Sequence, residues 1–142
     1  MESVNPILAA AAVLGLWSVL MFLIYAVRLV RTGAKVGDLP AGFRGPDADS
    51  ETPDTVKWTR HNYEHLMEQP TLFYAMVIIL AVVGDTSAAS CYAAWIYTGA
   101  RILHSVWQMQ VNTIPVRFML FTISTLALLV LCVHAVMFTL QL

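Results

Sequence analysis

From Ser3 to Val27 the chain runs for 25 residues without a charged side chain. A helix of that length is more than enough to cross the hydrocarbon layer of a bilayer, which takes about 20 predominantly apolar residues. Inside lipid the backbone must satisfy its own hydrogen bonds, so the stretch can cross only as a helix or as part of a closed barrel, and its length favours the helix. A secretory leader is the competing reading. It fails on three counts: the apolar stretch is too long, no basic segment precedes it, and it ends in Arg28 and Arg31 and not at a small-residue cleavage site. With 58% hydrophobic and 12% charged residues and a mean hydropathy of +0.69, the whole chain lies outside the range of soluble domains.

Three more apolar stretches follow. The expected spans are about 4–29, 62–84, 88–111 and 115–140, which makes residues 1–142 a single all-α membrane domain, a bundle of four transmembrane helices. Gly84-Asp85-Thr86-Ser87 reads as a short turn, and Pro115 suits the first turn of the last helix. The one long connection, about 31–59, is rich in Gly, Pro and Asp without apolar periodicity, so it reads as an ordered or partly ordered loop. It also carries the topology signal. Arg28, Arg31, Lys35, Arg44, Lys57 and Arg60 are six of the eight basic residues, and all lie in or beside it. By the positive-inside rule this loop faces the cytoplasm and both termini face out, in the inner membrane if the source is bacterial. Cys91 and Cys132 sit in apolar runs and read as small buried side chains. A net charge of -1 and the absence of a basic block with interleaved aromatics exclude nucleic-acid binding; the lipid bilayer is the expected surrounding.

Charges at membrane depth are costly, so they mark bundle interiors and functional sites. On the second span His61, His65 and Glu68 follow i, i+4, i+7 and share one face, with Arg60 and Glu64 on the adjoining strip. On the third, Arg101, His104 or Ser105, Gln108 and Asn112 form a polar stripe along an otherwise apolar helix. Arg117 opens the fourth span at the same end of the bundle. Taken singly, each of these side chains reads as an interhelical hydrogen-bond partner, as does His134, alone on the fourth span; convergence of the three groups points to a site.

His61-Asn62-Tyr63-Glu64-His65 also fits H-x-x-E-H, the inverted zinc-peptidase signature. The pattern is short, and zinc needs a third protein ligand and an open water position. Glu68 could supply the ligand, but no acidic residue on the third or fourth span could form a second layer around it, and Glu64 can pair with Arg60 instead. No metal is expected. A haem between His65 and His104 has no accompanying signature.

The run A-R-I-L-H-S-V-W-Q-M-Q-V-N-T-I-P-V-R, residues 100–117, resembles the third-helix and loop signature of the MAPEG family, membrane-associated proteins in eicosanoid and glutathione metabolism, where A-R-x-x-H-[ST]-V is followed by P-x-R. Glu68 with Pro70 and Leu72-Phe73 resembles that family's E-x-x-P-[LF]-F, one residue shorter before the proline. Val27-Arg28 resembles the V-R closing its first helix, and the spans and long first loop agree. The resemblance implies a homotrimer of four-helix subunits, with glutathione held between neighbours on the cytoplasmic side and a lipophilic small molecule arriving from the bilayer. It places Arg117 on the catalytic arginine that stabilises the glutathione thiolate, since an adjacent cation favours the ionised thiol. It places Arg28 on a basic position facing the tripeptide, Glu68 on the helix-two glutamate, and Arg101 and His104 on the third-helix pair.

Departures from the pattern are concentrated on the second span. Where glutathione-using members read R-x-x-[RV]-N-x-x-E, this chain has His61, Glu64, His65 and Glu68, so histidines replace the clamping arginine and the asparagine. Arg60 is one residue out of register, about 100° round the helix. Gln108 stands where some members have tyrosine, and Phe118 and Phe121 replace a serine and a tyrosine. Two readings follow. One is a glutathione-dependent transferase or peroxidase acting on a lipophilic electrophile, with Arg117 activating the thiol and Arg28, His61, His65, Glu68, Arg101, His104 and Gln108 forming the binding set. The other is a non-catalytic protein of the same fold that binds lipid or serves as a membrane partner.

Overall fold

The computed structural model describes residues 4–33, 41–42, 44–48 and 52–141. Among these residues four long helices carry the chain, α1 (Ile7–Arg31), α2 (Asp54–Val82), α3 (Ala88–Gln110) and α4 (Ile114–Leu140), with a 3₁₀ turn at Gly45–Ala48. Among the described residues there is no strand. Of the loop expected over 31–59, residues 34–40, 43 and 49–51, Lys35 among them, lie outside the described residues.

α1, α2 and α4 are each long and apolar enough to cross a membrane, and the protein is an integral membrane protein. Four such spans were expected. At 23 residues α3 has the length, but Arg101, His104, Gln108 and its serines lower its hydropathy. Those side chains are buried in the bundle, so the polar character of α3 is turned inward and away from lipid. α2 also starts earlier than the apolar span. Its first turns, from Asp54, are too polar to register as membrane-crossing, yet they are helical: Asp54 sits in the first turn, where the helix dipole favours an anion, and pairs with Lys57 at 2.8 Å.

Local chemistry sets the ends. α2 stops at Gly84, whose φ of 79° is open to glycine without strain, and the Asp85 N–H returns to the Leu80 carbonyl to close the last turn. Ser87 caps α3 by accepting from the Ser90 N–H. α3 ends on Asn112 in the left-handed region at φ 57°, a conformation asparagine tolerates, and the Asn112 N–H closes on the Trp107 carbonyl.

The core is one stripe per helix. Ile7, Ala10, Leu14, Ser18 and Met21 from α1 meet Leu66, Phe73, Val77 and Leu80 from α2. Alanines at 93, 94, 127 and 135 let α3 and α4 approach closely, the small-residue packing that membrane helices use. Phe73 and Tyr97 stack at 4.2 Å between ring centroids. Polar bridges cross the middle of the bundle: Thr98 Oγ1 donates to the Ala10 carbonyl at 3.0 Å, and Gln69 Nε2 to Thr125 Oγ1 at 2.9 Å.

Candidate functional site

The end of the bundle formed by the start of α2, the end of α3 and the start of α4 holds the polar stripe. Arg101 anchors it. With 1% of its surface exposed, it donates from Nη2 to the His65 backbone carbonyl and lies over the Phe121 ring at 5.8 Å. Pro70 sits next to this contact. It has no N–H to give the Leu66 carbonyl, so the α2 ladder is interrupted one residue beyond the carbonyl that Arg101 takes. Nε and Nη1 of Arg101 are buried without a hydrogen-bond partner.

Arg117 enters from the first turn of α4. Its Nη1 donates to Asn112 Oδ1 at 2.7 Å, so the residue that ends α3 in the left-handed region also steers this guanidinium, while Nε is buried and unpaired. His104 packs edge-on to His65 at 6.1 Å and lies 6.5 Å from Phe121. His65 Nδ1 meets Glu68 Oε2 at 3.1 Å. The charges of Arg101 and Arg117 reach both imidazoles. Five of the expected residues, His65, Glu68, Arg101, His104 and Arg117, are thus brought together by three helices.

The remaining three are placed differently. Arg28 donates from Nη1 to the Thr55 carbonyl at 2.9 Å and to Thr59 Oγ1 at 2.6 Å, tying the end of α1 to the first turns of α2. His61 Nε2 lies 3.0 Å from Nη2 of Arg60, whose Nη1 pairs with Glu64 at 2.8 Å. Gln108 is buried with Oε1 unpaired.

Sequence reasoning passed over Asn62 and Trp17, and kept Ser105 only as an alternative to His104. In the structure Ser105 Oγ accepts from Asn62 Nδ2 at 2.7 Å and from Trp17 Nε1 at 3.0 Å, joining α1, α2 and α3, and Asn62 Oδ1 is left buried and unpaired. The signal was a polar residue one helical turn from the apolar Leu66 on the buried face of α2.

Among the described residues no three His, Cys, Asp or Glu side chains gather to hold a metal ion. An apolar groove of about 390 Å³ between α3 and α4, lined by Tyr92, Ile96, Ile123, Leu126 and Val130, is separate from these polar groups. Buried cationic N–H donors without acceptors are expensive to keep in a fold. Arg101 and Arg117 together offer three of them, an arrangement suited to an anion.

A model of the MAPEG family matches residues 7–137. Neither a curated protein nor a solved structure matches the chain at a significant level.

Proposed function

The chain belongs to the MAPEG family, and from that premise we propose that it is a glutathione-dependent transferase or peroxidase that presents a thiolate to a lipophilic electrophile. The observation that carries this reading is the pair of guanidinium groups with buried, unpaired N–H donors, Arg101 and Arg117. A fixed cation beside a thiol favours its ionised form, which is the nucleophile. Arg117 is the thiolate partner: the Asn112 contact aims it, and its Nε has no acceptor among the described residues. Arg101, held in place from the His65 carbonyl, supplies a second positive charge for the tripeptide. Three subunits assemble around the thiol, the polar end of the bundle faces the cytoplasm, and the electrophile enters from the bilayer.

One observation favours a second reading, a non-catalytic protein of this fold that binds lipid or serves as a membrane partner. Glu64 and His61 occupy positions where a carboxylate clamp is expected, and Arg60 is paired to Glu64. The test is a titration of the detergent-purified protein with glutathione, followed by heat and by thiolate absorbance, with Arg117→Ala as control. Saturable binding with a thiolate signal that disappears in the variant supports the enzyme. Silence at millimolar glutathione removes it.

A further inference from the structure

His65 and Glu68 are where this chain departs from, and where it retains, the expected second-helix pattern, and the structure joins them. The carboxylate of Glu68 meets Nδ1 of His65 at 3.1 Å. A neutral imidazole whose Nδ1–H donates a hydrogen bond to a carboxylate has its Nε2 lone pair free to accept a proton. The backbone of His65 is pinned by Arg101, and its ring is set edge-on against buried His104. His65 itself is partly exposed, with 39% of its side chain accessible, so its ring is open at the polar end of the bundle while its neighbour is closed in. Four charged or titratable groups act on it: Glu68 from its own helix, Arg101 and His104 from α3, and Arg117 from α4.

We propose that His65, oriented by Glu68, is the general base that takes the proton from the bound thiol, while Arg117 holds the thiolate that results. This deepens the reading of the chain as a glutathione-using enzyme and rests on it. The S–H bond breaks, the proton goes to Nε2 of His65, and the electron pair stays on sulfur. The thiolate then forms a bond to an electrophilic carbon, and the imidazolium returns its proton to the group that leaves or to the atom that gains the electron pair. Glu68 touches neither reactant. It is a positioning residue that fixes the tautomer and stabilises the imidazolium as it forms.

The experiment uses the full-length protein in detergent and glutathione as the probe. Calorimetry in buffers of different ionisation enthalpy counts protons released on binding, and absorbance reports thiolate. In the wild type, thiolate forms with little proton release, because His65 keeps the proton. In His65→Asn, glutathione still binds, and turnover of a lipophilic electrophile falls about 10²-fold or more, as expected on removing a general base. Any thiolate that still forms there releases its proton to buffer. Glu68→Gln, at an exposed position, gives a smaller loss in the same direction and alters the pH-rate profile, which a purely structural role would leave unchanged.

Equal turnover and equal proton release in wild type and His65→Asn overturn the proposal. So does loss of glutathione binding in a His65→Asn protein that keeps its size in detergent, which would make His65 a contact to the peptide. If the wild type binds no glutathione, the underlying enzyme reading fails and this proposal with it. Binding and thiolate formation in the wild type, unaltered by either substitution, leave the enzyme reading standing and remove only the base.

Discussion

The two ends of the bundle handle buried polar groups in opposite ways. At the end where α2 gives way to α3, the groups close on one another: Asn5 Nδ2 donates to the Asp85 carbonyl at 2.8 Å, the Ser87 N–H to Asp85 Oδ1 at 2.8 Å, and Ser90 Oγ pairs with His134 Nδ1 at 2.7 Å. Among the described residues there, Asp85 Oδ2 alone stays buried and unpaired. Toward the other end, Arg101, Arg117, Asn62 and Gln108 all keep buried atoms without partners. Buried polar atoms in a finished fold are normally paired. A cluster that satisfies itself is architecture, and the one left open across three helices is the cluster on which the proposed thiol site rests.

The largest effect expected is at the open end. Arg117→Ala removes the cation from the proposed thiolate, and turnover should fall about 10²–10³-fold, the range seen when one preorganised donor to a developing negative charge is lost. The bundle should stay assembled, because among the described residues the side-chain hydrogen bond lost is that to Asn112. Turnover measured beside size in detergent checks both halves. Weakened assembly with no specific loss of chemistry would make Arg117 a structural residue and erase the contrast between the ends.

Arg101→Met sharpens the same contrast through stability. If Arg101 were a satisfied structural cation, its loss would cost about 3–5 kcal/mol, as breaking a buried pair does. Two of its nitrogens are unpaired, and Met is a flexible apolar replacement for much of its volume. We expect thermal stability to change by about 1 kcal/mol or less, since losing the hydrogen bond to the His65 carbonyl is offset by removing a buried cation that has no ion-pair partner among the described residues. Glutathione affinity should drop in the same protein.

Much of the open end was legible in the sequence because charges at membrane depth stand out against an apolar background. Arg101 and His104 stood out as a polar stripe on α3 and Arg117 as a charge in the first turn of α4, and their convergence followed from the order of the spans. The pairing of Arg60 with Glu64 was likewise visible as one helical turn. What stayed hidden depends on partners far away in the chain. Trp17 and Ser105 are 88 residues apart, and neither is unusual on its own helix. Arg28, matched by resemblance to a basic position facing the tripeptide, donates to the Thr55 carbonyl and Thr59 Oγ1 of α2, contacts set by how α1 and α2 cross and by nothing local. His134 read as a satisfied bundle histidine, and Ser90 is the partner that satisfies it. Asp85 read only as part of a turn, because its burial depends on the α1 N-terminus arriving beside it.

The closed end should respond to substitution in stability alone. Ser90→Ala removes the partner of His134 Nδ1 and one contact of the α3 cap. Leaving a fully buried acceptor or donor unpaired costs about 1–3 kcal/mol; His134 is half-buried, so thermal unfolding in detergent should show a loss of about 1 kcal/mol. Glutathione binding should be unchanged. A loss of binding would mean that the two ends are coupled through α3 and α4 and form a single network.

The smallest effect lies in the acid response of Asp85, in the turn between α2 and α3. Burial pushes its carboxyl up, but the polar groups of Ser90 and Ser87 that face it, with His134 beyond, outweigh this and hold it below its ordinary value of 3.8. A carboxylate with a folded value below its unfolded one contributes stability above the unfolded value, and that contribution is lost as pH falls through the folded one. Thermal stability should therefore hold from neutral pH to about pH 4 and decline below it. Asp85→Asn should be slightly less stable at neutral pH and should lose part of that acid decline, because the amide does not titrate. An identical acid limb in both proteins would assign it to other carboxylates and leave Asp85 as a hydrogen-bond acceptor only. At neutral pH the substitution should leave thiol binding as it was, since every contact Asp85 makes belongs to the end of the bundle away from Arg117.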